Sequence, residues 1–297
     1  MKRSLLFVLL LALLVGNRAA AARIDTLLLR SAALGREVTV VAVLPDAASE
    51  CRPAPLLLLL HGYGGDAFSW LKIRTGLPEL VDRTGIALLC PDGGQSWYMD
   101  SPVDTTSRYE SFLVGELIPY ADAHLPVARD ARRRAVAGLS MGGFGAMRLG
   151  LLHPDLFGAA GSMSGGLDIR PFPGRWELDR LLGRQSESPE NWERMTPINL
   201  IAQLDPARVP ALIIDCGYDD FIFEVNCAFH RELRRRGIPH DFCVRPGGHE
   251  LSYWANAIDY QMLFFSKFFA AADSAASSAA SSAADSESGA ESHPSNR

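Results

Sequence analysis

Five short runs of apolar residues limit the folds that this chain can adopt. They occupy residues 55–61, 86–90, 134–139, 211–216 and 241–244. A strand with solvent on one face alternates apolar and polar residues, whereas an uninterrupted run is typical of a parallel strand that is covered on both faces. The runs therefore predict a sheet that lies buried between two layers.

Segments with helical periodicity separate these runs. The clearest of them cover residues 109–124, 142–152, 221–236 and 253–269. Strands that alternate with helices in this way predict an α/β fold with a doubly wound, mostly parallel sheet and right-handed crossovers.

The first β-rich stretches of the chain follow a different pattern. Residues 24–30 and 37–44 flank the turn residues Gly35 and Arg36. Two strands joined by a short turn pair antiparallel, so we expect an N-terminal β-hairpin beside the parallel strands.

Residues 1–22 have the layout of a secretory signal peptide. Lys2 and Arg3 precede an apolar run from residue 5 to residue 15, and small residues follow it. This run of 11 residues is shorter than the roughly 20 that cross a bilayer. We expect cleavage before Arg23, a secreted or periplasmic location, and no stable membrane insertion of the mature chain.

Loss of this segment makes the chain more acidic. It removes three cations and no acid, which moves the formal net charge from -5 to about -8. So acidic a protein is poorly suited to bind nucleic acid or an anionic membrane.

The length of 297 residues is enough for one complete core, and domains of this size often stay single. We expect one folded domain over residues 23–270. Residues 165–204 are rich in Pro, Trp and charge and interrupt the strand and helix pattern, which indicates a cap-like insertion. Residues 271–297 are Ser/Ala-rich with almost no large apolar side chain, which predicts a disordered tail.

The third apolar run leads directly into a helical segment through Gly-Leu-Ser-Met-Gly at residues 138–142. This matches G-x-S-x-G, in which a sharp turn between strand and helix exposes a nucleophilic serine and leaves room only for small residues two positions away. Ser140 is therefore the candidate nucleophile. The alternative is a glycine-rich turn that only permits close packing, so the assignment depends on partners for the serine.

A serine nucleophile needs a base, and the base needs an acid that orients it. In α/β proteins whose nucleophilic serine lies on such a strand-to-helix turn, the acid follows the serine along the chain and the base follows the acid. Asp219 and Asp220 come just after the fourth apolar run, and His249 follows the fifth. We assign Asp220 as the acid, with Asp219 as the alternative, because either could instead cap the next helix. His249 is preferred as the base over His61, which precedes the serine.

Ester hydrolysis also needs N–H donors for the negative charge that develops on the carbonyl oxygen. Met141 N–H is one candidate, because it follows the nucleophile at a helix N-terminus. The glycine-rich stretch at residues 61–65 reaches the same sheet edge, and we assign its Tyr63 N–H as the second donor.

Four blocks resemble the esterase family that includes esterase D, tributyrin and feruloyl esterases and trehalose mycolyltransferases. The blocks are Leu-His-Gly-Tyr-Gly-Gly at residues 60–65, Gly-Leu-Ser-Met-Gly-Gly at 138–143, Cys-Gly-Tyr-Asp-Asp at 216–220 and Gly-Gly-His at 247–249. The resemblance implies the α/β-hydrolase fold with a triad of Ser140, Asp220 and His249. It also places the oxyanion donors at Tyr63 and Met141.

These features together predict an exported serine carboxylesterase that hydrolyses short-chain, aryl or polysaccharide acyl esters through an acyl-enzyme on Ser140. No metal or organic cofactor is implied. Trp97 and Tyr98 follow the second apolar run, and they either form an aromatic wall for the substrate or pack in the core. Two other functions are alternatives: an acyltransferase to a sugar hydroxyl, as in the mycolyltransferases, and a non-catalytic carbohydrate-binding protein with hydrolase architecture.

Overall fold

The computed structural model of the chain describes residues 22–205 and 208–290. The predicted signal peptide therefore lies outside the described residues except for Ala22, and so do residues 291–297. Within the described part, one eight-stranded sheet forms the centre of the molecule. Its strands are β1 (Arg23–Arg30), β2 (Glu37–Leu44), β3 (Leu56–Leu60), β4 (Ala87–Pro91), β5 (Arg134–Leu139), β6 (Ala159–Met163), β7 (Ala211–Gly217) and β8 (Asp241–Arg245).

The strands lie in the order β1-β2-β4-β3-β5-β6-β7-β8. β1 and β2 form an antiparallel hairpin in which Arg23 pairs with Leu44 and Arg30 pairs with Glu37, and β2 is also antiparallel to β4. The remaining neighbours are parallel. The predicted doubly wound, mostly parallel sheet with an N-terminal hairpin is therefore confirmed.

Helices cover the two faces of this sheet. Their bounds are α1 (Ser69–Ile73), α2 (Leu77–Thr84), α3 (Tyr109–Phe112), α4 (Ile118–His124), α5 (Met141–Leu152), α6 (Leu178–Leu182), α7 (Pro189–Met195), α8 (Pro197–Leu200), α9 (Phe223–Arg235) and α10 (Leu251–Ala290). A π-helical turn, Leu113–Leu117, connects α3 to α4.

Two apolar clusters, one on each face, hold the layers together. Phe144 of α5 and Phe229 of α9 belong to the first cluster, and Trp70 of α1 and Phe265 of α10 belong to the second. The leucines of β3 belong alternately to the first and the second cluster and have no exposed surface. Because burial of each such side chain contributes about 1.5–3 kcal/mol, the central strands are well secured.

Strand β6 has no counterpart among the predicted strands. Its sequence, Ala-Ala-Gly-Ser-Met, contains small residues and only one large apolar side chain. The two layers require this composition: a Cβ added at Gly161 would collide with Gln261 of α10, and one added at Gly150 of α5 would lie 2.5 Å from the Ala160 methyl. The strand is therefore missed because close helix packing excludes the apolar pattern by which strands are detected.

The last helix also differs from the prediction. The helical pattern predicts it over residues 253–269, whereas α10 extends from Leu251 to Ala290 in the structure. Alanine has the highest intrinsic helix propensity, so an alanine-rich segment continues a helix without needing a core to pack against.

Among the described residues, no helix combines the length and apolar character that a membrane span requires.

The order of the strands determines where a site can form. Strand β4 lies on one side of β3, and the chain then crosses to β5 on the other side. The carboxyl ends of β3 and β5 therefore border the point where the strand order reverses. Open α/β sheets bind their ligands in the crevice at this point. The loop at residues 61–65 and Ser140 both emerge there.

Candidate active site

Ser140 occupies the sharp turn between β5 and α5. Its backbone has φ 52° and ψ -115°, a conformation that costs a residue other than glycine about 1–3 kcal/mol. A Cβ at Gly138 would lie 2.5 Å from the backbone of Gly142, and one at Gly142 would collide with the Leu60 carbonyl. Glycine is therefore required on both sides of the serine, for the steric reason that the sequence motif suggested.

His249 and Asp220 approach Ser140 from the turns that follow β8 and β7. His249 Nε2 lies 2.9 Å from Ser140 Oγ, and His249 Nδ1 lies 3.1 and 3.0 Å from the two carboxylate oxygens of Asp220. Asp220 is only 5% exposed and also accepts the Ile222 N–H at 3.0 Å. The imidazole therefore has its Nδ1–H towards the acid and its Nε2 lone pair towards the hydroxyl.

Asp219, the alternative acid, takes a different position. It is exposed, and its carboxylate accepts the Gly247 N–H at 3.4 Å. Its own N–H donates to the Gly247 carbonyl at 3.1 Å. Asp219 thus ties the loop of His249 to the loop of Asp220, while Asp220 contacts the imidazole.

An ion pair between a half-buried arginine and a buried aspartate supports the strands that lead into the same two loops. Arg245, the last residue of β8, lies 2.6 Å from Asp215 of β7, and the Tyr253 hydroxyl donates to the other Asp215 oxygen at 2.6 Å. The Arg245 guanidinium also lies 4.0 Å from the ring centre of Tyr260. Burial raises the pKa of the Asp215 carboxyl, whereas the hydrogen bond from Tyr253 and the charge of Arg245 act in the opposite direction. The ion pair and the cation–π contact hold the start of the His249 loop against α10.

The two predicted oxyanion donors border Ser140. Met141 is the first residue of α5, where a helix N-terminus favours negative charge. Tyr63 follows Gly62, and a Cβ at Gly62 would lie 3.5 Å from Ser140 Cβ. Within residues 22–205 and 208–290, neither the Met141 N–H nor the Tyr63 N–H has an acceptor. Both groups can therefore receive a ligand oxygen.

Ser140 and His249 lie in a cleft of about 390 Å³. Its apolar walls are Tyr63, Ile73, Leu139, Trp176, Leu251 and Trp254. Trp176 belongs to the segment at residues 165–204 that was predicted to form a cap or pocket wall. Leu251 and Trp254 of α10 were not predicted, because only the rotation of that helix about its axis directs their side chains into the cleft.

Trp97 and Tyr98 pack in the core and do not form a wall of the cleft. Trp97 is 3% exposed and Tyr98 is fully buried. Trp97 packs edge-on against Phe144, and the Tyr98 hydroxyl donates to the His61 carbonyl at 3.0 Å. Both have positive φ, 55° and 54°, and this backbone directs the rings into the core. The second interpretation, core packing, is the one that the structure supports.

The fold and the site together define an α/β-hydrolase in which hydrogen bonds link a serine, a histidine and an aspartate at the carboxyl edge of the sheet. Residues 31–265 match the family described as "Putative esterase", and the chain belongs to this family. The predicted family resemblance is confirmed, as is the predicted class of enzyme, a hydrolase that acts on carboxylic ester bonds.

Several known proteins resemble this chain. An acetyl esterase of Caldicellulosiruptor saccharolyticus is 27% identical over 76% of this chain and 93% of its own length. An esterase of Mycobacterium tuberculosis is 30% identical over 74% of this chain, but this chain spans only 54% of that protein. The solved structure of a ferulic acid esterase has a TM-score of 0.73 and 28% identity, and the match covers 84% of this chain and 99% of the other.

Proposed function

We propose that this protein is an exported serine carboxylesterase that forms an acyl-enzyme on Ser140. The observation that carries the proposal is the continuous hydrogen-bonded series from Asp220 through His249 to Ser140, beside two N–H groups without an acceptor among the described residues. The layout of residues 1–22 supports export.

The first half of the reaction makes the acyl-enzyme. Ser140 Oγ attacks the ester carbonyl carbon while His249 Nε2 takes its proton, and the carbonyl oxygen becomes an oxyanion that accepts N–H from Met141 and Tyr63. The ester C–O bond then breaks, and the leaving alcohol takes the proton from Nε2. Asp220 keeps the imidazole oriented and stabilises its positive charge throughout.

The second half releases the acid. Water attacks the acyl carbon, His249 accepts a proton from it, and a second oxyanion forms in the same place. Collapse of this intermediate breaks the bond to Ser140 Oγ, which regains its proton from Nε2. The chain's own residues supply every proton transfer, so the proposed reaction needs no cofactor.

The shape of the cleft supports esters with a compact acyl group. Its indole walls, Trp176 and Trp254, offer flat apolar surface on which a short acyl chain or an aryl ring can rest, while the open side leaves space for a large alcohol such as a polysaccharide. We propose short-chain and aryl acyl esters, including those on polysaccharides, as the substrates. The names of two similar proteins, an acetyl esterase and a ferulic acid esterase, agree with this range.

Trp176→Ala is expected to separate aryl from acetyl substrates. Loss of the indole removes apolar surface from the cleft, so KM for a cinnamoyl-type ester should rise about tenfold while KM for the matching acetyl ester stays unchanged. Steady-state kinetics on the two esters measures this. Tyr218→Ala is the matched control, because Tyr218 is 52% exposed and does not line the cleft. Equal changes for both esters in the Trp176 variant would contradict the assignment of Trp176 to the substrate wall.

Product analysis tests the proposed function as a whole. The purified protein is incubated with nitrophenyl, acetylxylan and feruloyl esters, with and without added sugars, and labelled in parallel with a fluorophosphonate probe. We expect free acid as the main product and labelling of Ser140. Acyl sugars as the main product would instead favour the acyltransferase. Neither turnover nor labelling would favour a non-catalytic binding protein, because a serine without an activating base does not react with the probe.

A further inference from the structure

His61 is a buried histidine that the proposed proton transfers do not use. It follows β3 directly and is 1% exposed. The Gly93 N–H donates to His61 Nε2 at 2.8 Å, and His61 Nδ1 lies 2.7 Å from the Gly62 carbonyl oxygen. Because Nε2 accepts a hydrogen bond, the ring proton is on Nδ1, which donates to Gly62.

The two backbone hydrogen bonds of the ring favour this tautomer, and the nearest carboxylate does not form a hydrogen bond with it. Asp92 Oδ1 lies 3.8 Å from His61 Nε2, beyond hydrogen-bond range, and it accepts the Gly94 N–H at 2.9 Å instead. A proton on Nε2 would face the Gly93 N–H at 2.8 Å and leave the Gly62 carbonyl without this donor. His61 therefore acts as a fixed donor to the loop that follows it.

The Gly62 carbonyl belongs to the same peptide unit as the Tyr63 N–H. A trans peptide is planar, and its C=O and N–H point in opposite directions, so the direction of one determines that of the other. The described residues contain no cis peptide bond. Two donors fix this carbonyl, His61 Nδ1–H at 2.7 Å and the Gly65 N–H at 3.0 Å. They also polarise the peptide, which strengthens the N–H at its other end.

We infer that His61 is a positioning residue that aims the Tyr63 N–H at the oxyanion. This inference rests on the proposed function, because Tyr63 N–H serves as an oxyanion donor only if Ser140 attacks an ester. The Tyr98 hydroxyl supports the preceding peptide unit through its hydrogen bond to the His61 carbonyl. Burial raises the pKa of Tyr98 well above its ordinary value, so the hydroxyl keeps the proton that it donates.

Two amide variants separate the two ring nitrogens of His61. The amide nitrogen of His61→Asn can occupy the place of Nδ1 and still donate to Gly62, whereas the amide of His61→Gln reaches the place of Nε2 and leaves that carbonyl without the donor. We expect His61→Gln to lower kcat for a nitrophenyl ester on the order of 10²-fold with little change in KM, because the loss acts on the transition state. The His61→Asn variant should retain most of the wild-type kcat.

Controls distinguish positioning from general packing. His153→Gln alters a half-buried histidine at the far end of α5 that contacts Glu110 at 2.9 Å, and both kinetic constants should stay unchanged. Tyr98→Phe removes a single hydroxyl and is expected to lower kcat about tenfold with KM unchanged, which provides a test even if a His61 variant fails to fold. Thermal unfolding of each variant is recorded alongside.

The outcomes that overturn the inference are specific. Full kcat in folded His61→Gln, equal losses in the Asn and Gln variants, or full kcat in Tyr98→Phe would each contradict it. A wild-type protein without ester turnover or probe labelling would instead contradict the proposed function. The two failures are therefore distinguishable.

Discussion

Replacement of Ser140 by alanine is expected to lower kcat for a nitrophenyl ester by about 10⁵-fold. The substitution removes the atom that forms the covalent bond, and neither the base nor the oxyanion donors can replace it. The fold should persist, since the hydroxyl contributes one hydrogen bond at a partly exposed site. The measurement is single-turnover or long-incubation kinetics, together with far-UV circular dichroism.

Ser162 provides the matched control for this experiment. It is a buried serine on the neighbouring strand β6, and its hydroxyl has no hydrogen-bond partner in the described part of the chain. Ser162→Ala should therefore leave kcat unchanged and not reduce thermal stability, because no satisfied hydrogen bond is lost. Retention of most activity in Ser140→Ala would refute the acyl-enzyme on this residue.

Asp220→Asn is expected to lower kcat about 10⁴-fold, while Asp219→Asn has little effect. An amide at position 220 no longer favours the tautomer with the proton on Nδ1, nor does it stabilise the imidazolium. Asp219 is exposed and contacts only the backbone of its neighbouring loop. The two changes have the same size and remove the same charge one residue apart, so each is the control for the other. A larger loss in the Asp219 variant would reverse the assignment of the acid.

The meeting of Ser140, Asp220 and His249 could be predicted because each follows the carboxyl end of a parallel strand. Strand ends of this kind share one edge of the sheet, and uninterrupted apolar runs mark the strands clearly. Glycine is required at positions 138 and 142 because of the turn itself, so the motif alone predicts both residues.

Other features of the fold and the site depend on tertiary contacts that leave no pattern in the sequence. Strand β6 consists of small residues because two helices approach it closely, which removes the apolar pattern of a strand. Trp97 and Tyr98 were placed at the correct edge, but their positive φ directs the rings inwards, and no local signal requires that conformation of two aromatic residues. The contribution of Trp254 depends on the rotation of α10.

His61 illustrates a further limit of sequence reasoning. Its position before Ser140 argued against a role as the base, and the structure assigns its two nitrogens to backbone groups of Gly62 and Gly93. A histidine in a glycine-rich loop gives no indication of which peptide it will contact, because this depends on the exact path of the loop.

The sheet order has a consequence for how the molecule loses activity. Ser140 follows β5, which has neighbours on both sides, whereas His249 follows β8, the last strand of the sheet. Terminal strands detach at a lower free-energy cost than central ones. Detachment of β8 would withdraw the imidazole while the nucleophile stayed in place, so we expect activity to be lost before the fold unfolds. The ion pair between Arg245 of β8 and Asp215 of β7 opposes this detachment.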